Sequence, residues 1–98
     1  MIIQKRLEQD ILTISLEGRL DTSSSPELED ALDSSLNGVR ELVIDMEKLD
    51  YLSSAGLRVL LAAHKRMSDK GGMKLRNVCE TVKEVFEITG FSDFLDIE

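Results

Sequence analysis

The residues Leu42-Val43-Ile44 form an unbroken apolar run between two stretches of helical periodicity, and this arrangement limits the folds open to the chain. A run without alternation fits a strand covered on both faces, as at the centre of a sheet flanked by helices. Downstream, a helical pattern from Gly56 to Lys70 ends at Gly71-Gly72, and Met73 to Arg76 reads as a short strand. Strand, helix and strand in that order imply a parallel pair joined by a right-handed crossover. The residues upstream differ. Ile2 to Leu7 and Ile11 to Gly18 are strand-like, with Leu12, Ile14 and Leu16 alternating against Thr13, Ser15 and Glu17. Only Gln9-Asp10 and their immediate neighbours separate these two, so they form an antiparallel hairpin.

Two further helices complete the pattern. Ser24 and Glu27 have capping-box spacing, Pro26 suits a first turn, and Leu28, Ala31, Leu32 and Leu36 follow at helical intervals up to Asn37-Gly38. A third helix starts near Asn77, whose spacing to Glu80 repeats the capping-box pattern, with Val78, Val82, Val85 and Phe86 as its buried stripe and Gly90 as its stop. The apolar residues Phe91, Phe94, Leu95 and Ile97 dock the tail. The expected fold is α/β: one domain over residues 1–98, with helices on a mixed sheet of four to five strands, in the order ββαβαβα.

With 98 residues there is one modest core, because folding a chain of this size buries roughly 65% of its extended surface. The formal net charge of −7 repels a phosphate backbone, which argues against nucleic acid as a partner. One cysteine, Cys79, and one histidine, His64, cannot build a zinc cluster. No segment approaches the ~18 consecutive apolar residues of a membrane span, and Met1 to Arg6 has no leader pattern, so a soluble cytoplasmic protein without cofactor is expected.

The stretch Leu49-Asp50-Tyr51-Leu52-Ser53-Ser54-Ala55-Gly56-Leu57 lies where the central strand gives way to the second helix. Sites in open α/β sheets form past the carboxyl ends of strands. Two serines there have two readings. One of them can cap the helix by accepting from a free backbone N–H. The first-turn amides and the helix dipole also favour an anion, such as a phosphate. Gly56 allows a tight turn into the helix, or leaves room for a visiting enzyme. Asp21, Thr22 and Ser23 follow the second strand, where Asp21 ends the strand in a turn. Asp45 is expected to hydrogen-bond loop backbone, and Cys79 to be an inert, partly buried thiol. Lys65, Arg66, Lys70, Lys74 and Arg76 read as a basic, solvated patch. A serine hydrolase is excluded: there is no G-x-S-x-G elbow, and His64, ten residues beyond Ser54, lies roughly 15 Å along the helix axis.

Taken in order, Gly18-Arg19-Leu20-Asp21, Leu42-Val43-Ile44-Asp45-Met46, Ser53-Ser54-Ala55-Gly56-Leu57, Val82-Lys83-Glu84-Val85-Phe86 and Thr89-Gly90-Phe91 resemble the STAS domains, and among them the bacterial anti-sigma-factor antagonists. The resemblance covers nearly the whole chain. It implies a regulator, not an enzyme, that binds an anti-sigma factor with serine-kinase activity and is itself that kinase's substrate. The acceptor carried over is Ser54. Many relatives have aspartate just before it, where this chain has Ser53, which becomes a competing acceptor. The resemblance also places Asp21 close to Ser54, and makes Asp21, Thr22, Ser23, Ser53, Ser54, Ala55, Gly56 and Arg58 the partner surface. It further implies a resetting phosphatase and a monomer or weak dimer; no cofactor is expected, and no glycine-rich phosphate loop supports a nucleotide pocket. STAS-like domains also serve as constitutive subunits of ABC-type membrane transport complexes, and that is the alternative reading.

Overall fold

The computed structural model describes residues 1–98 and has the expected order, with one strand added at the end. β1 (Ile2–Glu8) and β2 (Ile11–Leu20) pair antiparallel, from Ile2 opposite Glu17 to Glu8 opposite Ile11. Gln9 turns the hairpin at φ 56°. α1 (Ser25–Ser35) crosses to β3 (Glu41–Leu52), α2 (Ser54–Met67) to β4 (Met73–Arg76), and α3 (Glu80–Thr89) leads through a 3-10 turn (Phe91–Asp93) to β5 (Asp96–Ile97). The sheet runs β1-β2-β3-β4-β5, and every pair after the first is parallel. No helix is long and apolar enough to cross a membrane.

Leu12, Ile14 and Leu16 on β2, Leu42, Ile44 and Met46 on β3, and Met73 and Leu75 on β4 join one core of 24 buried residues. The helices contribute Leu28, Leu32, Leu57, Leu60, Ala63, Met67, Val82 and Phe86 to that same core. This corrects the expectation that β3 is covered on both faces. The opposite face of the sheet is open and polar, with Gln4, Thr13, Ser15 and Asp45 lining shallow depressions on it. Val43 lies outside the core cluster yet is only 4% exposed. Its register neighbours Thr13 and Lys74 flank it, and the stem of a lysine can cover apolar surface while its ammonium stays wet.

Several helix boundaries also differ from expectation. Neither capping box forms. Ser24 occupies the N-cap position of α1 but makes no capping bond. Its hydroxyl donates to the Arg19 carbonyl at 2.6 Å and accepts from the Asp21 N–H at 2.9 Å. Asn77 lies outside α3, in the left-handed region at φ 60°, and donates its side-chain amide to Asp45 at 3.1 Å. Cys79 is the N-cap of α3, so Val78, though buried, precedes the helix. α2 begins two residues earlier than expected and stops at Met67, three residues short of Lys70. At the tail Leu95 is buried and Phe91 and Ile97 pack on the core, whereas Phe94 is 46% exposed.

Candidate functional site

Two loops meet at the carboxyl edge of the sheet. The Ser53 N–H donates to the Leu20 carbonyl at 2.9 Å, which extends the pairing of β2 and β3 into the turn that opens α2. The two adjacent serines then take different roles. Ser53, in extended conformation at the N-cap, accepts the Gly56 N–H on its hydroxyl at 3.3 Å, and its carbonyl accepts the Leu57 N–H at 2.9 Å. Ser54 is the first helical residue, is exposed, and its hydroxyl makes no hydrogen bond within the chain. A cap requires non-helical geometry and an oxygen aimed at the first-turn amides. Ser53 meets both conditions, which leaves the Ser54 oxygen free.

A stability difference follows. Ser53→Ala should lower unfolding stability by about 1 kcal/mol, because a first-turn amide loses its acceptor. Ser54→Ala should stay within about 0.5 kcal/mol of the parent chain. Urea unfolding of the two variants side by side checks this, and equal losses would contradict the division of roles.

Gly56 has a different purpose from either expected reading. It adopts neither a positive φ nor an open position. A Cβ there would lie 2.7 Å from Leu20 Cγ and 2.7 Å from Leu52 Cδ1, so the glycine lets the first turn of α2 press onto the ends of β2 and β3. It is buried and offers no surface to a partner.

The Asp21 loop is rigid through its own side chains. Asp21 Oδ1 accepts from the Ser23 and Ser24 N–H groups at 3.1 Å each, from the Ser23 hydroxyl at 3.3 Å, and at 3.1 Å from the Ser24 hydroxyl, whose one proton it shares with the Arg19 carbonyl. The Ser24 amide holds the carboxyl below the usual aspartate range; desolvation opposes it, and the Ser24 hydroxyl and the Ser23 groups add to the lowering. Asp21 therefore closes a turn, as one reading expected. The Arg19 guanidinium stands 3.7 Å from its other oxygen and stacks on Tyr51, 4.1 Å from the ring centroid. Thr22 and Ser23 are exposed beside it.

The structure brings Thr22, Ala55 and Arg58 together along a groove between the starts of α1 and α2. Ser25, Glu29 and Val59 line the same groove, and sequence reasoning did not single them out. Their signal was the spacing of four between Ser25 and Glu29 and between Ala55 and Val59, which puts each pair on one helix face.

The remaining candidates resolve plainly. Asp45 accepts the Glu47 N–H at 3.0 Å, so it does bond loop backbone. Cys79 is exposed, contrary to the partly buried thiol expected, with its sulfur 3.8 Å from the Leu49 carbonyl. His64 packs on Phe94 at 5.4 Å between ring centroids. The five basic residues do not form one patch. Arg66 bonds Asp33 at 2.6 Å across α1 and α2, whereas Lys74 and Arg76 on β4 reach Glu98 at 4.0 and 3.7 Å. No group of three His, Cys, Asp or Glu side chains comes together in a way that could hold a metal.

A mixed sheet with helices on one face, carrying its free hydroxyl on an open surface at a strand–helix junction, defines a small α/β module whose site is a surface and not a cavity. The chain belongs to the STAS domain family, whose model matches residues 3–98. It is 33% identical over 94 residues to the anti-sigma-B factor antagonist of Bacillus subtilis, covering 95% of this chain and 85% of the relative. It is 39% identical over 83 residues to BtrV of Bordetella bronchiseptica, covering 83% of this chain and 72% of that one. Among solved structures, an anti-sigma factor antagonist from Mycobacterium paratuberculosis superposes with a TM-score of 0.89 at 21% identity, covering 98% of this chain and 83% of the other. The unphosphorylated anti-sigma factor antagonist SpoIIAA superposes with a TM-score of 0.84 at 20% identity, covering 99% and 88%.

Proposed function

We propose that this protein is an anti-sigma-factor antagonist that works by partner switching in the cytoplasm. Unphosphorylated, it binds an anti-sigma factor that is also a serine kinase, and so frees the sigma factor. Phosphorylation of Ser54 by that kinase ends the association, and a phosphatase restores it. The protein is the substrate of this chemistry and performs none. It acts as a monomer or weak dimer and needs no cofactor.

The observation that carries this reading is the unengaged, exposed Ser54 hydroxyl beside a Ser53 hydroxyl already used as the helix cap. A kinase needs an oxygen that can leave its surroundings without cost, and only one of the two adjacent serines offers it. The names of the relatives in Bacillus subtilis and Listeria monocytogenes support an antagonist role. SpoIIAA, whose fold this chain shares, has been solved in a phosphorylated form as well, with a TM-score of 0.77 to this chain. The partner surface comprises Asp21, Thr22, Ser23, Ser53, Ser54, Ala55 and Arg58, while the buried Gly56 shapes it from beneath.

Incubating the protein with the anti-sigma-factor kinase it binds and ATP, followed by mapping of the modified peptide by mass spectrometry, should find phosphate on Ser54 and not on Ser53. Phosphate on Ser53 would overturn the assignment. Stable co-purification with a transporter ATPase, with no phosphate at either position, would favour the constitutive subunit.

A further inference from the structure

Of the six arginines in the chain, Arg6, Arg19, Arg66 and Arg76 each stand within 4 Å of a carboxylate. Arg40 and Arg58 do not. Arg58 is exposed on α2, four residues after Ser54 and therefore on the same face of the helix. Long side chains on a helix lean toward its N-terminus, so the surface that Arg58 covers is the turn that begins at Ser54. Within the proposed partner surface, Arg58 is the only cation. The groove it lines holds one other charged group, Glu29 of α1, and the two form no ion pair within 4.0 Å.

We propose that Arg58 is a positioning residue of the switch: it captures the phosphate on Ser54 within the same chain and is thereby withdrawn from the partner. The inference rests on Ser54 being the acceptor. A guanidinium presents a planar fork of donors that fits two phosphate oxygens at once, and a phosphoserine dianion outcompetes the single-charged Glu29 for it. Modification then acts twice on the surface. It adds negative charge to a chain already at −7 and occupies the one positive group available there.

The test needs no kinase. Phosphoserine is installed at position 54 during synthesis, and its second ionisation, ordinarily near pH ~6, is followed by phosphorus NMR in the parent chain, Arg58→Gln, Arg58→Lys and Arg40→Gln. The midpoint in the parent should lie about 0.5 pH unit below that of Arg58→Gln, a threefold change in the ionisation constant. Arg58→Lys should fall between them, and Arg40→Gln should match the parent, because it removes the same charge elsewhere. Coincident midpoints for the parent and Arg58→Gln would overturn the proposal. So would an equal shift in Arg40→Gln, which would make the effect one of net charge. Failure of the switch itself reads out separately, as a phosphorylated protein that still binds the anti-sigma factor tightly whatever its titration midpoint.

Discussion

Replacing Gly56 with alanine should lower the midpoint of thermal unfolding by about 10 °C, a loss of about 2 kcal/mol for a domain of this size. Two effects oppose each other. Alanine in a helix is favoured over glycine by up to about 1 kcal/mol. The new methyl, however, would enter a space already filled by Leu20 and Leu52, each with an atom 2.7 Å from the ideal Cβ position. Both leucines belong to the buried core, at 0% and 5% exposure, so neither can swing toward solvent without opening a void behind it. Overpacking of a close-packed core costs about 1–3 kcal/mol, and a double overlap lies at the upper end of that range. The steric term therefore wins. Calorimetry or circular dichroism on the variant would show it, and a midpoint equal to or above the parent's would mean that the leucines yield more readily than their packing implies. Because these contacts seat the first turn of α2, the same change should also tilt the Ser53–Ser54 turn away from the Leu20 carbonyl.

The sequence signals that translated directly into structure are those in which burial follows a period. Leu12, Ile14 and Leu16 alternate along β2, and all three are buried on one face. Leu28 and Leu32 on α1 and Val82 and Phe86 on α3 repeat every four residues and point inward. Period alone does not state how many faces a sheet covers, however. Val43 read as doubly buried because it sits in an apolar run; it is 4% exposed yet outside the core cluster, with Thr13 and Lys74 as its register neighbours. Capping was less legible, for a physical reason. A polar side chain at the right spacing chooses among all acceptors and donors within reach, and the Ser24 hydroxyl and the Asn77 amide found other partners, the Arg19 carbonyl and the Asp45 carboxylate. At Ser53 and Ser54 the same ambiguity stood: one of two neighbours had to cap. The fold resolves which one caps, because the strand pairing through Leu20 fixes Ser53 in the extended geometry that a cap needs. The reason for Gly56 was out of reach of the sequence, since it depends on side chains more than 30 positions away as well as on near ones.

Phosphorylation of Ser54 should weaken binding to the anti-sigma factor by about a hundredfold while leaving the backbone nearly unchanged, a loss of roughly 3 kcal/mol. The modification adds about −1.5 to −2 charges at pH 7. Docking would have to strip water from that charge against a surface that already carries Asp21 and belongs to a chain of net charge −7. An unsatisfied buried charge costs several kcal/mol, so even a partly hydrated phosphate at the edge of the contact supplies the required loss without any rearrangement. The fold gives no reason for rearrangement. Ser54 is outside the core, and its oxygen holds nothing in place that phosphate would release. Titration calorimetry with the two forms measures the affinity, and overlaid amide spectra measure the response, which should be confined to the first turns of α1 and α2 and the Asp21 loop. Shifts spreading through β2 and β3 would replace electrostatic rejection with a conformational switch. Ser54→Asp should fall between the two forms, because a carboxylate has one charge, two oxygens and a shorter reach. An aspartate variant that binds as tightly as the parent, together with a phosphorylated form that does not, would show that the dianion and its geometry, not negative charge as such, set the outcome.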